Sequence, residues 1–249
     1  MIIRKSAAEL EVMRRAGRIT ALALRRIGEE VRPGVSTAHL DQIAEAVIRG
    51  EGAAPAFKGY HGFPATICSS INGEVVHGIP SPLRILSEGD VVSVDVGAIV
   101  DGYYGDSAMT FPVGRISDEA ARLLDVTRRC LESAIAKARV GMRLGDVSSA
   151  VQTVAEDAGF SVVREYVGHG IGRAMHEEPQ IPNFGPAGKG PALEEGMVLA
   201  IEPMINAGSA AVESLNDGWT VVTSDGSLSA HFEHTVAVTA EGPLILTAE

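Results

Sequence analysis

The chain has little of the material from which several protein classes are built. Only two of its 249 residues are cysteines, Cys68 and Cys130. That excludes a disulfide scaffold and a four-cysteine structural zinc, and it is ordinary for a reducing cytosol. Aromatic residues make up 4% of the sequence, with a single tryptophan, so an aromatic in a turn-like segment stands out. Basic residues are outnumbered, 21 Lys and Arg against 32 Asp and Glu, and the formal net charge of −11 repels phosphate backbones. Nucleic acid is therefore not expected as a direct partner. No apolar run approaches the roughly 20 residues of a membrane span, and the opening Met1-Ile-Ile-Arg-Lys-Ser has no stretch of signal-peptide length. The expectation is a cytoplasmic protein without membrane contact.

What is present is a large apolar fraction, 45% of the residues. A globular chain of this size buries roughly three quarters of its unfolded surface, enough for one domain over 1–249 built of two joined halves. Ser6 as N-cap, Glu9 three residues on, and a stripe of Leu10, Met13, Ala16 and Ala21 predict a helix over 6–30. A second is expected over 36–50, stopped by Gly50 and Gly52. Between 63 and 115, short β-rich runs (65–68, 91–96, 98–100, 110–113) alternate with Asn-Gly, Glu-Gly-Asp and Asp-Gly turns. Helices over 117–138 and 145–158 follow, and the chain beyond Gly159 is rich in strands and loops. The order helix, helix, strands thus occurs twice, an α+β pattern.

A self-comparison sharpens this. Arg32-Pro-Gly34-Val aligns with Arg139-Val-Gly141-Met, and the segment from Leu86 to Asp95 with that from Leu193 to Glu202, both at an offset of 107 (139 − 32; 202 − 95). Few matches are identities and the middle needs gaps, so chance competes with a true repeat. Two related halves, roughly 1–115 and 116–249, would each end an equivalent strand in a carboxylate, Asp95 and Glu202. A site between them would receive matched groups from both.

Several acids sit inside apolar, strand-like sequence: Asp95, Asp106, Glu202 and Glu233. Strand geometry puts Val91, Ser93 and Asp95 on one face and Val92, Val94 and Val96 on the other. His169 is framed by glycines, which lets a ligand approach closely. Any one buried acid is more often hydrogen-bonded to backbone or paired with Arg than bound to metal. Four of them with one such histidine, and few apolar-embedded Lys or Arg, are hard to satisfy internally. As a set they are an oxygen-rich, mostly hard donor group suited to Mn²⁺, Fe²⁺, Co²⁺ or Zn²⁺.

Motifs along nearly the whole chain are similar to those of the type I methionine aminopeptidases, within the larger group that includes prolidases and creatinases. They are Gly59-Tyr-His-Gly-Phe-Pro64, Ser70-Ile-Asn72, Val76-His-Gly-Ile-Pro80, Asp101-Gly-Tyr-Tyr-Gly-Asp106, Gly168-His-Gly-Ile-Gly172, His176-Glu-Glu-Pro179, Ile201-Glu-Pro-Met204, Asp217-Gly-Trp219 and Glu233-His-Thr235. The resemblance implies the pita-bread fold, a curved antiparallel sheet with helices on its outer face and an internal pseudo-twofold. It implies two divalent ions (Co, Mn, Fe or Zn) held by Asp95, Asp106, His169, Glu202 and Glu233, with Asp106 and Glu233 bridging. The short interval from His169 to Glu202 leaves no room for the insertion of type II enzymes. The implied reaction removes N-terminal methionine from nascent polypeptides, with the ribosome a candidate place of action and small second residues preferred. A hydroxide bridging the ions would attack, Glu202 would shuttle its proton, and His77 and His176 would hydrogen-bond the scissile amide. Tyr60, Phe63, Cys68 and Trp219 would wall the methionine pocket, Cys68 as a small apolar surface in competition with a reactive thiol. A monomer is expected.

The sequence departs from the commonest bacterial pattern at three positions. Gly97 replaces a Thr or Ser two residues after Asp95, and the loss of that hydroxyl is expected to weaken the ion Asp95 serves. Met175 replaces a larger apolar residue, and Phe57 a smaller one. Two rivals remain: a proline-directed peptidase of the same fold, and a metal-free module of that fold binding protein or RNA.

Overall fold

A computed structural model describes residues 1–248. Helix α1 (Ala7–Glu30) opens with the expected capping box: the Ser6 hydroxyl accepts from the Glu9 N–H, and the Glu9 carboxylate accepts from the Ser6 N–H at 2.8 Å. Helix α2 (Thr37–Gly50) is capped by Ser36, which accepts from the His39 N–H. Helices α3 (Asp118–Ile135) and α4 (Leu144–Asp157) complete the set. Helix α3 stops short of the expected residue 138, because its last turn tightens: the Lys137 and Ala138 N–H groups donate to Ala134 and Ile135.

The sheet of the first half is centred on the strand Val91–Val100, paired antiparallel with Tyr103–Pro112, with Ile67–Ile71 and with the short Ala54–Pro55. The strand runs unbroken through Gly97, where the sequence suggested two pieces. Val92, Val94 and Val96 pack against Leu24, Ile27, Leu40 and Ile48 of α1 and α2. Ser93 and Asp95 face the other way, as alternation requires. Helix α1 lies so close to this sheet that a Cβ on Gly105 would stand 2.6 Å from the Gly17 nitrogen, and the Thr20 hydroxyl donates to the Gly105 carbonyl at 3.1 Å.

The second half repeats the plan. A five-stranded antiparallel sheet runs in the order Gly242–Ile245, His234–Thr239, Val198–Ile201, Gly168–Gly170, Glu177–Ile181. Leu199, Ile201 and Val236 pack against Leu123, Val126, Val147 and Val151 of α3 and α4. Helices α2 and α4 are displaced by 107 residues at both ends (144 − 37; 157 − 50). The bridges Ser36↔Ile85 and Arg143↔Ala192 differ by the same interval. So do the bonds from the Leu86 N–H to Val35 and from the Leu193 N–H to Met142, both 2.8 Å. Gly34 and Gly141 share a left-handed φ, 88° and 90°. Chance does not reproduce hydrogen bonds and dihedrals, so the repeat is structural.

The halves meet along a seam of side-chain bonds. The Thr235 hydroxyl donates to the Asp106 carbonyl at 2.7 Å and accepts from its N–H at 3.0 Å. The Ser107 hydroxyl donates to the Glu233 carbonyl, and the Glu233 N–H donates to the Ala108 carbonyl. Thr110 serves both the N–H and the carbonyl of His231 in the same way.

Candidate metal centre

The five expected ligands converge on this seam. Asp95 lies opposite Ala108, and Asp106 opposite Gly97, which makes the two acids diagonal neighbours on one face. The backbone bond from Glu233 to Ala108 brings the third acid beside them. On the other half His169 pairs with Ala200, and Glu202 follows two residues beyond it, just past the strand end. Ligand atoms of Asp106, His169 and Glu233 lie within 4.8 Å of one another, and all three residues are buried.

Local chemistry fixes the His169 tautomer. Its Nδ1 is 2.9 Å from the Gly170 carbonyl oxygen, which can only accept, so Nδ1 carries the proton. The Nε2 lone pair is then free to face the carboxylates, 4.0 Å from Asp106 Oδ2 and 3.6 Å from Glu202 Oε1.

The electrostatics are those of a cation site. Burial lifts the Asp95, Glu202 and Glu233 carboxyls well above the usual range, with the charge of Asp106 adding to each. Asp106 is raised to about 7 by burial. Burial pushes His169 down to about 4, with His176 adding to the fall, so it is a neutral imidazole and supplies no balancing charge. Asp95 Oδ1, Asp106 Oδ1 and Glu233 Oε1 are buried with no hydrogen-bond partner. Stranded carboxylate oxygens of this kind cost several kcal/mol each unless a cation meets them. Divalent ions fit this donor set on charge and on hardness.

The same residues floor a cavity of about 220 Å³. His77, His176, Tyr60, Phe63, Cys68 and Trp219 line it together with the five ligands, so every site residue expected from sequence is brought to one place. His77 sits in a left-handed turn (φ 61°), and burial beside His176 pushes it down to about 4. His176 stands exposed at the mouth, its Nδ1 2.8 Å from the Tyr60 hydroxyl and its ring 4.4 Å from that of His169. Phe63 and Trp219 meet edge-to-face at 5.0 Å, and Asp217 holds the Trp219 N–H at 2.9 Å. Cys68 is 5% exposed, and burial with the nearby Asp95 charge raises its thiol well above the usual value. Such a buried, protonated thiol is not poised as a nucleophile.

No empty volume stands beside Gly97: a Cβ there would lie 2.8 Å from Ala56 Cβ and 3.1 Å from Phe57 Cε1. The larger Phe57 already occupies that space, and it also lines the cavity. Two residues escaped the sequence reading. His231 touches Glu202, and Lys5 is ion-paired to Glu177 beside His176. Each depends on a contact between distant segments, and only the buried setting of Ala230-His-Phe-Glu233 hinted at the first.

Residues 11–240 match the model of metallopeptidase family M24. The chain is 56% identical to methionine aminopeptidase 1 of Bacillus subtilis over 247 residues, 99% of each chain. The crystal structure of a methionine aminopeptidase from Thermotoga maritima superposes with a TM-score of 0.99 at 47% identity, covering 100% of both chains. The prolidase from Pyrococcus furiosus shares the fold, with a TM-score of 0.79 at 24% identity, and this chain covers 66% of it.

Proposed function

The chain belongs to metallopeptidase family M24, and on that premise we propose that it removes the N-terminal methionine of nascent proteins and peptides whose second residue is small. As a methionyl aminopeptidase it is a metal-dependent exopeptidase. The observation that carries the finer reading is the meeting of two things in one cavity: a carboxylate-rich donor set with stranded oxygens, and a narrow aromatic wall.

Asp95, Asp106, His169, Glu202 and Glu233 would hold two divalent ions. Mn, Fe, Co and Zn all suit the ligands. When bound, the ions supply Lewis acidity that readies a water and polarises the scissile carbonyl. The rest falls to the protein. Glu202, its Oε1 held 3.6 Å from His169 Nε2 at the cavity floor, takes the proton of the attacking water as a carboxylate and passes it to the leaving amine. Burial keeps His77 neutral at pH 7, and partial desolvation lowers His176 at the mouth, leaving both able to hydrogen-bond the scissile amide. Tyr60 fixes the His176 ring through its hydroxyl. Phe63, Cys68 and Trp219 receive an unbranched thioether side chain, for which aromatic edges are favourable partners.

The free, buried Cys68 and Cys130 suit a reducing cytoplasm, where nascent chains leave the ribosome. Among the described residues, no helix is long and apolar enough to cross a membrane. The test is release of free methionine from Met-Ala-Ser by protein loaded with Mn²⁺ or Co²⁺. It should vanish with chelator, and Xaa-Pro peptides should stay intact. Cleavage of Xaa-Pro, or no methionine release at saturating metal, would overturn the reading.

A further inference from the structure

Glu202 is bracketed by two imidazoles: His169 Nε2 stands 3.6 Å from Oε1, and His231 Nε2 stands 3.6 Å from Oε2. Only the first has a task so far. His231 is 1% exposed, and its Nε2 has no hydrogen-bond partner. A buried polar nitrogen left unpaired costs about 1–3 kcal/mol, so its placement needs a reason.

The residue is held firmly where it is. Its N–H donates to the Thr110 hydroxyl, and its carbonyl accepts from the same hydroxyl, both at 2.9 Å. It pairs with Met204 in the strand that follows Glu202 and Pro203. A neutral imidazole has two tautomers. One aims a lone pair at the carboxylate oxygen and is repelled; the other presents an N–H.

We infer that His231 is a positioning residue for Glu202: its Nε2–H takes hold of Oε2, which leaves Oε1 turned toward His169 and the ion site. A slight rotation of the carboxylate closes the 3.6 Å approach to a hydrogen bond and satisfies the stranded nitrogen. This rests on the reading of Glu202 as a metal ligand. The partners that orient ligating side chains typically alter metal affinity by about 10–100-fold.

The experiment uses the full chain freed of metal and titrated with Mn²⁺ by calorimetry. His231→Leu, similar in bulk but without a donor, should bind the ion at least about tenfold more weakly. His231→Gln, whose carboxamide N–H can reach the same oxygen, should stay within about threefold of the parent. His231→Leu should keep the parent's far-UV circular dichroism without metal, which separates lost positioning from lost fold. Should His231→Leu not fold, His231→Phe supplies a donor-free ring. Unchanged affinity without the donor, or equal weakening by Gln and Leu, overturns the inference. Met-Ala-Ser cleavage by the parent is measured first: its absence sinks the proposed function, whereas an active parent with no effect at position 231 sinks only this assignment.

Discussion

Lys5 donates to Glu177 at 2.6 Å in an ion pair whose side chains are 3% and 8% exposed, tying the N-terminal arm to the residue next to His176. The other Glu177 oxygen accepts from the N–H groups of Arg173 and Ala174, the turn that leads into Met175 and His176. Removing one partner of a buried pair leaves a charge without compensation. Lys5→Met should therefore cost about 3–5 kcal/mol in urea denaturation, and Lys5→Met/Glu177→Gln should recover part of it. Because the turn carries His176, turnover at saturating substrate should also fall. A Lys5→Met protein as stable as the parent would show that the pair is not an effective contact.

Gly97 and Phe57 are one packing solution. Gly97→Thr alone forces atoms into space held by Ala56 and Phe57, and overpacking of this kind typically costs about 1–3 kcal/mol. No tightening of metal is expected. Gly97→Thr/Phe57→Ala should be more stable than the two single effects predict, a coupling read from a double-mutant cycle. Strict additivity would separate the two positions.

The crowded carboxylates set a pH signature in the metal-free protein. Asp106 rises from 3.8 to about 7 on folding, so the native state binds more protons than the unfolded chain across that window. Its contribution to stability is full below about pH 4 and is lost as pH rises toward 7. Asp106→Asn lacks this loss. It should gain on the parent between pH 4 and 7, by an amount on the order of a few kcal/mol, when chelator is present. With excess Mn²⁺ the ranking should reverse. A variant whose advantage does not grow with pH would show that Asp106 is not raised.

Loss of a ligand should separate activity from folding. His169→Ala and Asp106→Ala should fold, yet lose more turnover than the roughly 10–100-fold seen when only a ligand's supporting partner is removed. In the parent, the ligands and the aromatic wall line one cavity of about 220 Å³, which would set a substrate's second residue close to the ligands. Met-Ala, Met-Gly and Met-Ser peptides should be cleaved much faster than Met-Leu or Met-Lys. Equal rates across that series would indicate a broad aminopeptidase.

Much of this was legible in sequence because it is local. Ser6 and Glu9 announce a capping box three residues apart, and the alternation around Ser93 and Asp95 assigns faces without knowledge of the partner strand. The repeat carried the fold further, since an interval of 107 residues is visible before any contact is known. Long-range pairings were illegible. His231 meets Glu202 only after two strands register, and Lys5 meets Glu177 across 172 positions. Gly97 and Phe57 read as separate oddities because their shared volume exists only in the folded chain.

The bonds that stitch Asp106 to Thr235, Ser107 to Glu233 and Thr110 to His231 join residues 129, 126 and 121 apart. Such contacts raise contact order, and closing long loops slows folding. A polypeptide still emerging from synthesis holds Asp95 and Asp106 early, but cannot assemble the centre until Thr235 is free to cross over. Acquisition of function is thus timed by the last strands of the chain, and a chain stopped before them lacks Glu233 and Thr235 and with them the full donor set.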